Sequence, residues 1–145
     1  MSTAWIIVAD AGHARIFSAE EPNGALTEIQ TLTCPEARLH EGDIVSDSPG
    51  REHNASGSGS HDVGHTSGAK QEVAIRFAEQ VCEVIESGRI ANRFKRLYVI
   101  AAPAFLGMLR KHYSSAASQL IAGEIDKNLT THDALEIRGQ LPKRL

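Results

Sequence analysis

Apolar positions fall in dense blocks along the chain, and the spacing inside each block predicts its element. Ala4 to Ala9 is a continuous apolar run rich in β-branched residues, which reads as a buried strand. Asp10-Ala11-Gly12 supplies turn chemistry, and Ala14 to Ser18 reads as a second strand close enough for a hairpin. Asn23-Gly24 marks the next turn. Leu26 to Thr33 partly alternates and is rich in Thr, which predicts a third strand with one wet face, closed by Pro35. From Ala69 to Ser87, Val73, Phe77, Val81, Val84 and Ile85 recur at helical spacing beside Ala74, Ala78 and Cys82. Thr66 or Ser67 suits the start of that helix and Gly88 its end. Leu97 to Ala102 is continuously apolar, as in a central strand covered on both faces. Pro103 suits the first turn of a helix to His112, with Phe105, Leu106, Met108 and Leu109 inward. Leu120 to Asp126 follows a strand–helix unit and reads as the last strand. Thr130 and Asp133, spaced as an approximate capping box, open a helix to about Gly139, and Pro142-Lys143-Arg144 reads as a frayed tail.

The predicted order is β-β-β-α-β-α-β-α. Three consecutive strands imply an antiparallel meander, and the later alternation implies parallel additions with right-handed crossovers. The expectation is an α/β fold: a mixed, roughly five-stranded sheet with helices on its faces. The length suits one domain over residues 1–145.

One stretch breaks the pattern. Glu36 to Lys70 has only Leu39, Ile44, Val45 and Val63 as large apolar residues, and it carries four of the chain's 7 His: His40, His53, His61 and His65. Such a composition buries too little apolar surface to offset the cost of ordering it, so a long polar loop is expected at 36–70.

Charge alters the picture only locally. Net charge is −3, with 4 Lys or Arg against 10 Asp or Glu in residues 1–70 and 11 against 8 in residues 71–145. This is a mild dipole, without the high pI of a strong nucleic-acid binder. The two cysteines, Cys34 and Cys82, read as isolated reduced thiols. No run reaches the ~18–20 apolar residues of a membrane span, and the first ten residues lack a basic leader, so no membrane insertion and a cytoplasmic location are expected.

Four groups carry candidate chemistry. His61 and His65 stand four apart, which on a helix places two imidazoles on one face for a Zn-type metal. Gly64 between them, with Gly57 and Gly59 upstream, favours the plainer reading of a polar loop that needs no cofactor. Gly57-Ser58-Gly59-Ser60 can offer consecutive backbone N–H groups to a phosphate but lacks the Walker lysine. Asp10 ends the first strand, and a rival reading uses it with His13 and the loop histidines around a metal for hydrolysis. Two-metal chemistry needs several carboxylates, however, and a turn-stabilising Asp beside Gly12 is the simpler reading. Lastly, Arg89, Arg93, Lys95 and Arg96, interleaved with Phe94 and Tyr98, and later Arg110 and Lys111, make a basic patch suited to RNA phosphates and bases if they share a face; the plainer reading is a helix C-terminus that favours cations and a solvated connector. Arg15 and Arg51 join this RNA- or anion-binding set. His112-Tyr113-Ser114 brings His and Ser together in sequence only, which makes no triad.

Several phrases resemble a bacterial family, the proteins required for attachment to host cells. They are Asp10-Ala11-Gly12-His13-Ala14-Arg15-Ile16-Phe17, Gly50-Arg51, Ala102-Pro103-Ala104-Phe105-Leu106-Gly107-Met108-Leu109-Arg110 and Glu124-Ile125-Asp126-Lys127-Asn128-Leu129-Thr130. They occur in order and span the chain. The family looks like a relative of the second domain of archaeo-eukaryotic peptide chain release factors. That resemblance implies a ribonuclease H-like topology and a link to the ribosome. The Gly-Gly-Gln tip of those factors has no counterpart here; Gly57-Ser58-Gly59-Ser60 lacks the glutamine.

The leading expectation is therefore a non-enzymatic binding or adaptor protein of the host attachment family that contacts RNA or the ribosome. One alternative is a small metal-dependent hydrolase or nuclease using Asp10, His13 and loop histidines. Another is a protein-interaction module behind an attachment phenotype.

Overall fold

A computed structural model describes the backbone of residues 3–37 and 55–145, and the side chains of 3–37 and 68–145. Its strands are β1 (Ala4–Ala9), β2 (His13–Ala19), β3 (Thr27–Thr33), β4 (Arg96–Ala101) and β5 (Ile121–Ile125). The helices are α1 (Ala55–Ile90), α2 (Pro103–His112), α3 (Ser115–Leu120) and α4 (Ala134–Gly139). The strands form one mixed sheet in the order β3-β2-β1-β4-β5. β1 pairs antiparallel with β2, and β2 with β3; β1 pairs parallel with β4, and β4 with β5.

β1 is central, and all six of its residues are buried. Successive side chains of a strand face opposite ways, so β1 and β4 each feed two cores. Trp5, Ile7 and Ala9 of β1 and Leu97, Val99 and Ala101 of β4 face α1, α2 and α3. There they meet Phe77, Ala78, Val81 and Ile85 of α1 and Phe105, Leu106 and Leu109 of α2. Ala4, Ile6, Val8, Tyr98 and Ile100 face the other way, onto Leu129, Ile137 of α4, Leu141 and Leu145. Burying one such large side chain contributes roughly 1.5–3 kcal/mol, so the two-faced covering explains why β1 is apolar throughout and β4 is apolar from Leu97 to Ala101. β3 is an edge, exposed except at Leu32, with a register shift opposite Ile16 and Phe17.

The α/β mixed sheet of five strands is as expected, but a helix outside the expected order, α3, stands between α2 and β5, and four further details differ. α1 is 36 residues long and begins at Ala55, not Ala69. Once the amphipathic half packs on the sheet, adding further helical residues forms one hydrogen bond each without a new nucleus. Of the predicted loop 36–70, residues 36–37 and 55–70 are helical, and 38–54 lie outside the described residues.

Second, α1 runs past Gly88 and closes at Asn92, whose φ is 57°. Arg93 N–H donates to Gly88 O at 2.9 Å and Asn92 N–H to Arg89 O at 3.0 Å, the paired bonds of a left-handed C-terminal cap.

Third, the last helix is capped three residues later than expected. Asp133 accepts from Glu136 N–H at 2.8 Å, and Glu136 accepts from Asp133 N–H at 3.1 Å, a reciprocal box.

Fourth, the tail is pinned rather than frayed. Leu145 is buried, and its N–H donates to Pro22 O at 2.9 Å. Arg138 donates to the carbonyls of Gly24, Pro142 and Lys143.

Candidate functional site

Asp10 follows the carboxyl end of β1, which lies beside that of β4. The turn that follows β1 folds back so that Asp10 Oδ1 accepts from Gly12 N–H at 2.9 Å and His13 N–H at 2.8 Å. Oδ2 accepts from Asn128 Nδ2 at 3.1 Å and Thr130 Oγ1 at 3.0 Å. Asn128 Oδ1 in turn accepts Thr130 N–H at 3.1 Å, so the segment after β5 is folded to present both donors. Burial pushes the Asp10 carboxyl up, but the donors from Gly12, Thr130, His13 and Asn128 outweigh it and hold the pKa below its ordinary value. Each oxygen already has two donors. A carboxylate so occupied is a weak base, and it ties the β1–β2 turn to residues 128–130.

Arg15 fastens the same segment from β2. Its guanidinium donates to Thr130 O at 3.0 Å and His132 O at 2.6 Å, and it pairs with Glu28 of β3 at 2.9 Å. Its donors are spent inside the fold. His13 Nδ1 lies 3.7 Å from Asp10 Oδ1. Beside it a cavity of about 410 Å³ is lined by Asp10, Gly12, His13, Lys70 and Ala102. Among the described residues, no three His, Cys, Asp or Glu side chains gather as a metal site. His61 and His65 fall within the helical backbone of α1, as do Gly57, Ser58, Gly59 and Ser60, so these four residues are not the loop expected of a phosphate cradle. Arg51 lies outside the described residues, as do the side chains of His61 and His65.

The opposite end of the sheet carries the basic group, and the structure divides it. Arg89 is spent on Glu86, 2.9 Å from Nε to Oε1, and Arg110 on Glu124 at 2.8 Å. Glu86 responds: Arg89 first, then the Ser114 hydroxyl, hold its carboxyl down at about 2. Phe94 and Tyr98 are buried in the two cores, so they do not interleave with the cations at the surface.

Arg93, Lys95 and Arg96 remain. All three are exposed, and no carboxylate among the described residues pairs with them. Backbone bonds fix their turn: Lys95 N–H donates to Thr3 O at 2.8 Å, just before β1. The Arg93 guanidinium lies 5.4 Å from the centroid of the Trp5 ring, which itself rests 4.7 Å from that of Phe94.

Two further groups of nucleophilic type are buried. Burial, with the Glu79 carboxylate, pushes the Cys82 thiol up to about 12, and it donates to Leu109 O. Burial, and then the Glu124 charge, raise the Tyr113 phenol. Neither is poised for attack at neutral pH.

Spacing alone gave no signal that Asn128 and Thr130 answer Asp10, because the contact closes over more than a hundred residues. The Asn-x-Thr spacing before a capped helix is the local sign of a folded turn there. A family model described as "Protein required for attachment to host cells" matches residues 5–141. No curated protein matches the chain.

Proposed function

The chain belongs to the family of proteins required for attachment to host cells, and from that premise we propose that it is a non-enzymatic binding or adaptor protein that meets RNA through the turn Arg93–Arg96. The observation that carries this reading is the division of the basic residues. Arg15, Arg89 and Arg110 are neutralised within the fold, whereas Arg93, Lys95 and Arg96 lie within four residues of sequence, exposed and unpaired among the described residues, where a turn held by backbone bonds runs into β4. A fixed turn loses little freedom when it meets a phosphate chain, and three cations on it neutralise successive phosphates. Asp10 favours the same side of the choice: its oxygens accept from groups of the fold itself, which hold its pKa low.

The ribosome is the RNA surface this reading places first, in keeping with the likeness to the release-factor domain and its ribonuclease H-like topology. It puts the protein's work in the cytoplasm, without a cofactor. Binding to single-stranded RNA, followed by fluorescence anisotropy, tests the reading. Arg93→Glu/Lys95→Glu/Arg96→Glu abolishes it, while Arg89→Ala and Arg110→Ala leave it within about twofold, since those side chains already satisfy carboxylates. Equal binding by the triple variant and the parent overturns it.

A further inference from the structure

Next to the basic turn, a cavity of about 510 Å³ runs between α1 and the β3 edge. Trp5 forms its floor, and Gln30 of β3 with Gln80, Glu83 and Ser87 of α1 forms its walls; Arg93 closes one end. Gln80, Glu83 and Ser87 stand three and four apart, which sets their polar groups along one face of the helix. The Arg93 guanidinium lies 5.4 Å from the Trp5 ring centroid, and the residue is exposed to solvent. An exposed planar guanidinium is a stacking surface for a nucleobase.

From this arrangement we infer that the groove between α1 and β3 takes one nucleobase, guanine by preference, stacked on Arg93, with its phosphate turned toward Lys95. The inference rests on the RNA reading above and adds to it a seat for the base. The preference follows from the wall. An ionised Glu83 only accepts hydrogen bonds, and guanine presents two adjacent donors, N1–H and the 2-amino group. Gln30, Gln80 and Ser87 can each donate to its carbonyl and ring acceptors. Uracil offers Glu83 a single donor, so it lacks the paired contact.

The chain's single Trp is the floor of the groove, which makes its emission a direct reporter. The test uses an oligouridine carrying one central guanine, the same oligomer with an abasic centre, and free guanosine monophosphate. The guanine oligomer is expected to bind about tenfold tighter than the abasic one and to change Trp5 emission. Glu83→Ala removes that preference without weakening the abasic oligomer, because the lost charge is not one that holds phosphate. If both oligomers bind equally and leave the emission unchanged, the base seat is wrong and the basic turn stands. If neither oligomer binds, the RNA reading falls, and guanosine monophosphate decides the groove. A change of emission with the free nucleotide then supports a nucleotide seat; no change overturns it. Equal affinity for the free nucleotide and the guanine oligomer identifies the free nucleotide as the source.

Discussion

Trp5 packs against the backbone of α1 at Gly88: a Cβ built on Gly88 would lie 2.6 Å from Trp5 Cζ3 and closer still to Cη2. The aromatic ring of the central strand and the missing side chain of the helix are therefore one feature. The close approach seats α1 on the sheet and leaves the Trp5 ring beneath the Arg93 guanidinium.

Gly88→Ala is expected to destabilise the protein by about 1–3 kcal/mol, since the added methyl forces the ring or the helix to move. This outcome opposes helix propensity, which favours Ala by roughly 1 kcal/mol. Gly107→Ala in α2 is the control: nothing stands within 4 Å of a Cβ there, so propensity alone acts and stability is unchanged or higher. Urea unfolding of the two variants measures both, and equal effects would contradict the packing account.

Asp10→Asn is expected to cost about 1–3 kcal/mol, because one acceptor oxygen becomes a donor facing donors. The pH dependence follows from the lowered pKa. A carboxyl with a folded pKa below its ordinary 3.8 contributes stability that is complete above that value and fades as pH falls below it toward the folded pKa. Acid unfolding of the parent should show this loss, and the Asp10→Asn curve should be flatter over the same range. A variant that matches the parent in stability at neutral pH would contradict a structural role for Asp10.

Arg15 and Asp10 hold the same segment, so their substitutions should not add. Arg15→Lys loses the forked contact with the Thr130 and His132 carbonyls and is expected to cost about 1–3 kcal/mol. The double variant with Asp10→Asn should cost less than the sum by at least about 0.5 kcal/mol. Strict additivity in a double-mutant cycle would mean that the two clamps act on separate parts of the fold.

Asn92 sits at φ 57°, where side chains without local polar groups are strained. Asn92→Gly should be neutral or slightly stabilising, and Asn92→Val should cost roughly 1–2 kcal/mol. Thermal melting compares them; equal melting points would contradict the left-handed cap.

Much of this fold was readable along the chain, because β1, β4 and the second half of α1 declare themselves by apolar spacing alone. What escaped was set by contacts between distant residues. Gly88 looked like a helix stop because local pattern says nothing about Trp5 on the sheet. The early start of α1 was hidden by glycines and serines, whose local preference yields to extension from the packed half. α3 is one short helix capped by Ser114, which accepts from Ala117 N–H at 3.0 Å, and six residues give periodicity too little length to show. At the candidate sites, residue type showed that Arg15, Arg89, Arg93 and Arg110 were cations but not which were spent. Glu86 lies three residues from Arg89, while Glu28 and Glu124 reach Arg15 and Arg110 only through strand pairing and packing.

The salt dependence of single-stranded RNA binding tests the central claim most directly. Three phosphate contacts, from Arg93, Lys95 and Arg96, predict a slope of about −2 for log affinity against log salt concentration, and Arg93→Glu/Lys95→Glu/Arg96→Glu should leave no measurable binding. Binding that is insensitive to salt, or that survives the charge reversal, would contradict the account.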